Sequence, residues 1–439
     1  MEHEGPHAAE AHPDGGAMTY PLVSLYALML AAAGLPLYIH LPQFASVQLG
    51  INLAALGVIL LVVRLFDLVQ DPVIGWIIDR WPRAQGIFGL AAALGLAAGF
   101  PLLFGLERGD QVVMQLVACL LLLYTSYSLG SILLYSRSAS LARRPGPAEL
   151  VTVATYREVG SLAGVVLAAI APSVLVALGA SAAGYPAFGI ALGLLAVATG
   201  ILSRPIWRRP APAGRALSSA GLAESGALRL LVLGLVNGLP LAITSTLFLF
   251  FVEDRLALAG AAGPLLILFF LGAGLSIPVW SRVARAIGAR TTLGIAMPLA
   301  ILSFAGSALL QPGDLWLFAA ICLVSGAALG AETLLLPAMF SIALARSGLQ
   351  ASLAFGIWAL AGKLGLSVAA FIVMPMLAWQ GYVPNQPNDA AALAMLTFLY
   401  AVLPCGLKVL GTVLVWRLPR EVGAMRREGD PIRPPPRRA

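Results

Sequence analysis

Residues 64–80 read RLFDLVQDPVIGWIIDR. Arg64, Asp67, Asp71, Gly75 and Asp79 follow at intervals of three and four, so a helix through them carries all five on one stripe. The chain around this stripe is not that of a soluble protein. Its 439 residues are 59% apolar and only 11% charged, with mean hydropathy +0.90; soluble chains run roughly 45–50% apolar and about 25% charged. That composition excludes a soluble enzyme, a disordered chain and a nucleic-acid binder. It implies a polytopic helical membrane protein, in which ionisable residues at membrane depth are costly and mark function.

Outward from this segment, apolar stretches run at about 20–43, 52–78, 87–106, 111–135, 151–178, 184–203, 227–252, 262–281, 291–310, 314–341, 351–378 and 391–416. Each is long enough for a membrane helix, which needs about 20 residues. Alternate loops and the C-terminal tail hold 20 arginines, including Arg80, Arg137, Arg208, Arg285 and Arg346, while the opposite loops hold only Arg108 and Arg255. That asymmetry places both termini in the cytoplasm of a cell (inner) membrane, and the formal charge of +7 follows from it. The expected fold class is an all-α membrane protein of twelve transmembrane helices arranged 6+6. A disordered leader covers 1–19, a six-helix bundle 20–203, a Pro-rich basic linker 204–226, a second bundle 227–416 and a basic tail 417–439. The leader lacks the basic start of a signal peptide, and its His3, His7 and His12 are irregularly spaced. Cys119, Cys322 and Cys405 lie far apart in apolar stretches, without metal spacing. A weak repeat links GWIIDRWPR (75–83) with PVWSRVARAIGAR (278–290).

Asp67 and Asp71 are one turn apart and repel in a low-dielectric site unless they share a proton or meet a cation. Pro72 has no N–H, which frees the Leu68 carbonyl as a further oxygen ligand. Lys363, central in FGIWALAGKLGLSV, has no acid in its own span, so its counter-charge comes from another helix, with Asp67 and Asp71 the natural candidates. The alternative for Arg64 is a structural pair with Asp67. In TYREVGSLAG (155–164), Arg157 is placed to face a cavity and hold an anionic group or pair an Asp, and Glu158 to cap the helix near the cytoplasm. Glu332, in GAETLLLPAMF, either lines a cavity or pairs with a base. Asn237, Thr244, Ser245 and Thr246 are candidates for a polar path, against the alternative of helix–helix contacts. His40 reads as interfacial packing, and Met374 and Met376 as core.

The run RLFDLVQDP-x-x-G-W (64–76), with YREVGSLAG and the Gly362–Lys363 pair, resembles the glycoside–pentoside–hexuronide:cation symporters of the major facilitator superfamily. The resemblance implies that Asp67 and Asp71 form a coupling-cation site with Lys363 beside them, and that Arg157 helps form the solute site. Two departures weaken the sugar half. Ala31 and every other residue of 20–43 lack a carboxylate, and Ser131 and Tyr135 stand where an acid and a sugar-stacking Trp are expected.

The expected function is secondary active symport of a small solute coupled to Na⁺ or H⁺ by alternating access. Asp67 and Asp71 would bind the cation, Lys363 and Arg64 would couple, and Arg157, Ser131, Tyr135, Glu332 and Asn237 would touch solute. No cofactor, nucleic acid or oligomeric partner is implied. Transport of a lipid-like or organic-anion solute stays open, as does a non-transporting assembly or sensor protein on the same fold. No GxxxxGK[ST], HExxH or GxSxG motif is present, which argues against ATP-driven transport and an intramembrane hydrolase.

Overall fold

The computed structural model describes residues 18–177, 179, 184–210, 214–384 and 386–419. His3, His7, His12 and the tail motif RPPPRR lie outside the described residues. The long helices are α1 (Thr19–Gln43), α2 (Leu53–Arg80), α3 (Gln85–Phe104), α4 (Val112–Ser136), α5 (Pro147–Ala177) and α6 (Tyr185–Leu202). They continue with α7 (Ala227–Phe250), α8 (Ala262–Ile287), α9 (Ala289–Ala305), α10 (Leu315–Arg346), α11 (Ser352–Trp379) and α12 (Ala390–Arg417). Among the described residues there is no strand, only an isolated bridge that ties Arg215 of the linker to Leu349. Without water in the bilayer every backbone group must be paired within its own segment, which leaves helices as the form such apolar runs can take.

Ten helices among the described residues are long and apolar enough to cross a membrane, and Thr19–Gly34 of α1 adds a shorter apolar stretch. α2 is the helix that carries the ionic stripe, with Arg64, Asp67, Asp71, Asp79 and Arg80 all within it. Several ends differ from the sequence expectation. α5 begins at Pro147 rather than 151, and α10 runs on to Arg346 rather than 341.

The first and last six helices repeat one packing plan. α1 packs on α5 as α7 packs on α11, α3 on α6 as α9 on α12, and α2 on α4 as α8 on α10. α1 and α7 both end in a π-helical turn, Phe44–Gln48 and Phe251–Arg255, closed by matching backbone bonds from Leu49 to Phe44 and from Leu256 to Phe251. Across the two sets, α2 meets α11 and α5 meets α8. Gly75 and Gly356 permit the first of these contacts: a Cβ at Gly75 would collide with the Ser352 carbonyl, and one at Gly356 with that of Asp71.

The two sets are joined at the arginine-bearing end. One hydrophobic core runs through α1–α6 and includes Leu230, Leu293, Phe340 and Phe355, while a second holds Leu247, Phe318, Val373 and Leu399 of α7–α12 alone. Asp79, at that end of α2, accepts the backbone N–H groups of Ser352 (3.2 Å) and Leu353 (2.8 Å) that open α11. At the other end Val58, Leu61 and Phe371 are exposed. Arg108 and Arg255, the two basic residues there, each bind within their own set, Arg108 to the carbonyls of Val47 and Gln48 and Arg255 to Thr397.

Candidate functional site

A cavity of about 460 Å³ lies between the two sets of helices. Asp71, Ser131, Tyr135 and Glu158 line it from α2, α4 and α5; Asn237, Glu332, Trp358 and Lys363 line it from α7, α10 and α11.

The stripe on α2 brings Asp67 and Asp71 to this interface, both fully buried. Lys363 Nζ reaches across from α11 and lies 2.8 Å from Asp67 Oδ1 and 2.8 Å from Asp71 Oδ2. The ammonium also donates to Ser128 Oγ at 3.0 Å and to the Asp67 carbonyl at 3.4 Å. Four oxygens thus surround one positive charge. Asp67 Oδ1 further accepts from Gln70 Nε2 (2.7 Å) and Ser128 Oγ (3.2 Å), and Thr125 holds Gln70 in place at 2.8 Å. Asp67 Oδ2 and Asp71 Oδ1 are buried without a hydrogen-bond partner. Two carboxylates against one ammonium leave one formal negative charge. Arg64 stands half-buried outside the cavity lining, and it is Lys363 that pairs with Asp67.

Arg157 does not line the cavity, contrary to the sequence expectation. Its Nε binds Glu158 Oε1 at 2.9 Å, and its guanidinium lies 3.7 Å over the Tyr135 ring. Neighbouring residues leave a helix about 100° apart, but two long side chains can bend back to meet. Tyr135 O–H donates to Glu158 at 3.2 Å, so its ring forms a wall between Arg157 and the cavity. Nη1 and Nη2 of Arg157 are buried without a hydrogen-bond partner. Ser131 lines the cavity but donates to the Ser128 carbonyl, 3.1 Å away.

A second ionic group belongs to α7–α12 alone. Glu332 Oε2 accepts Lys408 Nζ at 2.5 Å and Asn237 Nδ2 at 2.9 Å, and Asn237 Oδ1 accepts the same ammonium at 2.9 Å. Glu332 Oε1 is buried with no hydrogen-bond partner. Sequence reasoning passes over Lys408. A lysine inside the apolar run PCGLKVLGTV is nonetheless the same signal that singles out Lys363. The same reasoning misses Ser128, Thr125 and Gln70, whose roles appear only when α4 lies beside α2.

The other candidates do packing work. Thr244, Ser245 and Thr246 donate back to the carbonyls of Leu241 and Ala242 and form no polar path. His40 sits edge-on to Tyr185 and Phe188. At the arginine-bearing end a separate cavity of about 300 Å³ is bounded by Asp79, Gln85 and Arg137. Arg137 donates to Gln85 at 2.8 Å, and burial, with Arg209 alongside, holds its pKa down at about 10.

No curated protein matches the chain. A bacterial homologue of the iron transporter ferroportin, solved in an outward-facing state, shares the fold at TM-score 0.66 and 16% identity, over 91% of this chain and 99% of that one. The proton:xylose symporter XylE, bound to 6-bromo-6-deoxy-D-glucose, does so at TM-score 0.63 and 11% identity, over 91% of this chain and 95% of the other. At such identities the likeness shows the major facilitator fold. Sequence carries the assignment further than shape: residues 22–421 match the family described as MFS/sugar transport protein, whose members are membrane transporters and not enzymes, and the chain belongs to that family.

Proposed function

We propose that this secondary transporter couples Na⁺ or H⁺ to symport of a small solute. The observation that carries the reading is Lys363 Nζ, 2.8 Å from carboxylate oxygens of both Asp67 and Asp71. α2 and α11 come from opposite sets of helices, so this contact spans the surface along which alternating access must move. The ammonium already occupies an oxygen-lined position, and the cluster's net negative charge matches one monovalent cation. A proton or Na⁺ at Asp67 and Asp71 competes with Lys363, releases the bridge and lets the sets move. Arg64 is outside this cage, and a role in coupling would act through Asp67.

In this reading all twelve long helices span the cell (inner) membrane, α2 included, because its ionic stripe faces the interface rather than lipid. Two six-helix bundles, 20–203 and 227–416, rock about the cavity, joined by linker 204–226. The arginine-bearing end is cytoplasmic, as the positive-inside rule requires, so both termini are inside and the closed end faces the cytoplasm. The transporter works as a monomer, since the cavity is complete within one chain. Glu332, Asn237, Ser131 and Tyr135 form the solute side. Arg157, shielded by Tyr135 and paired with Glu158, supports that wall instead of binding an organic anion. Iron, named for the ferroportin homologue, finds no donor set: among the described residues no three His, Cys, Asp or Glu side chains cluster.

The test is a thermal-unfolding titration of purified protein in lipid nanodiscs with NaCl against choline chloride, repeated from pH 5 to 8. A rise in midpoint with Na⁺, or with falling pH, that disappears in Asp71→Asn is expected. A wild-type protein indifferent to both ions rejects cation coupling.

A further inference from the structure

Arg137, at the end of α4, is almost fully buried, and among the described residues no carboxylate lies within ion-pair reach of it. Its acceptors are all neutral. Nε donates to Ser140 Oγ at 3.1 Å, Nη1 to Gln85 Oε1 at 2.8 Å, and Nη2 to the Arg209 carbonyl. A guanidinium has five N–H groups, so one on each terminal nitrogen remains over. Arg209 sets a second positive charge alongside, and its own donors go to the carbonyls of Ser140, Leu141 and Ala142 and to Thr19 Oγ1. Buried charges are ordinarily paired. Here two cations lie side by side and no described side chain balances them.

Arg137 borders the separate cavity of about 300 Å³ at the arginine-bearing end. Pockets for small molecules run from about 300 to 1,000 Å³. Gln85 and Arg137 line it from the first set of helices, Ser341 and Leu349 from the second. It shares no lining residue with the central cavity. Ser341 is only 6% exposed, and its Oγ is buried with no hydrogen-bond partner. An unmet buried hydroxyl calls for an explanation. Asp79 is the one carboxylate of this lining, and both its oxygens already accept the backbone N–H groups that open α11. Pro82, Leu344 and Leu349 make part of the wall apolar.

We propose that this cavity binds a small organic monocarboxylate from the cytoplasm, held by the Arg137 guanidinium and the Ser341 hydroxyl, and that the bound anion fastens the two sets of helices together. Charge and shape select the ligand. One carboxylate offsets the excess positive charge, whereas Asp79 opposes a second negative charge and so disfavours dianions. A planar carboxylate matches the fork of a guanidinium, which a spherical halide does not. The apolar wall takes a short carbon body. Arg137 and Ser341 belong to different sets, so the complete site exists only while the arginine-bearing end is closed. A ligand with that preference shifts the population toward the closed state. The anion is therefore a regulator that slows opening, distinct from the transported solute and from the coupling cation.

The test uses the full chain in phosphatidylcholine nanodiscs without Na⁺. Four probes are compared at equal ionic strength: choline propionate, choline chloride, dicholine malonate and the neutral isostere propionamide. Propionate should raise the unfolding midpoint saturably above the choline chloride baseline, with half-saturation at least tenfold lower than for malonate or propionamide. Ser341→Ala removes a hydroxyl that bonds nothing, so its midpoint without ligand should stay at the wild-type value while propionate binds about tenfold more weakly. Arg137→Gln should not respond to propionate; should that variant fail to fold, Ser341→Ala decides alone. A second readout is the labelling rate of Ala354→Cys, at a position buried in the closed end but outside this lining. Propionate should slow that labelling at least threefold, and propionamide should leave it unchanged. No rise over choline chloride, equal binding of propionamide, wild-type affinity in Ser341→Ala, or labelling indifferent to propionate overturns the proposal.

Discussion

Two lysines sit at membrane depth, and their surroundings are built differently. Lys363 leaves α11 and crosses to Asp67 and Asp71 of α2, so its contacts belong to two sets of helices. Lys408 finds Glu332 and Asn237 inside its own set. The first group carries a net negative charge and breaks whenever the sets separate. The second is formally neutral and survives any rigid-body motion. The difference separates a group whose energy changes along the transport cycle from one whose energy does not, and only the former can couple an ion to movement.

The largest effect should come from cutting the crossing pair. Lys363→Met leaves two adjacent buried carboxylates with no counter-charge. Removing one partner of a buried ion pair costs about 3–5 kcal/mol, unless a proton takes its place. Coupled uptake into proteoliposomes should vanish, and thermal stability should become steeply pH-dependent, improving as pH falls. Uptake within twofold of wild type would undo the contrast between the two lysines.

The intramural pair should respond to a double-mutant cycle instead. Lys408→Met alone should destabilise by roughly 3 kcal/mol, since it strands Glu332. Lys408→Met with Glu332→Gln should recover most of that loss, because removing both charges together is often nearly neutral. The cation-dependent shift should persist in the double variant. Its disappearance would show that the two groups share one function.

A smaller effect is expected where α2 touches α11. Gly75→Ala drives a Cβ into the Ser352 carbonyl, and overpacking of this kind costs about 1–3 kcal/mol. Because the clash exists only in the closed state, the variant should favour separation at the arginine-bearing end. Thiol labelling of Ser341→Cys in the Gly75→Ala background should be faster than in the wild-type background.

What the sequence makes legible follows from where the signals lie. The α2 stripe is local, set by spacings of three and four, so Asp67 and Asp71 can be placed before any fold is known. Lys363 is legible by elimination, since its own span has no acid. Arg157 is not. Its partner is its neighbour Glu158, and the Tyr135 ring that separates it from the cavity comes from α4, which no local pattern predicts. Lys408 carries a signal as plain as that of Lys363, but its meaning depends on α10 and α7 lying beside α12. The recess beside Glu332, lined by Phe269, Phe304 and Leu329 together with Thr244 and Ser325, arises from packing among several helices and leaves no trace in one-dimensional order.

The smallest predicted effect tests whether the closed end is held by chemistry as well as by shape. Asp79 accepts the first two backbone N–H groups of α11, at 3.2 and 2.8 Å. These are among the donors that a helix start leaves without an intrahelical partner, and the positive end of the helix dipole adds to the attraction. The cap comes from α2, in the other set of helices, so its stabilisation of about 1 kcal/mol is present only while the sets are joined there. Asp79→Asn keeps one acceptor oxygen but removes the charge, and Asp79→Ala removes both. Populations should therefore shift toward opening by roughly twofold for Asn and about fivefold for Ala, since 1.4 kcal/mol is a factor of ten. The readout is the labelling rate of Ser352→Cys. Cation affinity at Asp67 and Asp71 should rise in the same order, because opening α2 from α11 also withdraws Lys363, the ammonium with which the cation competes. Equal labelling in all three backgrounds would assign closure to the Gly75–Gly356 contact alone.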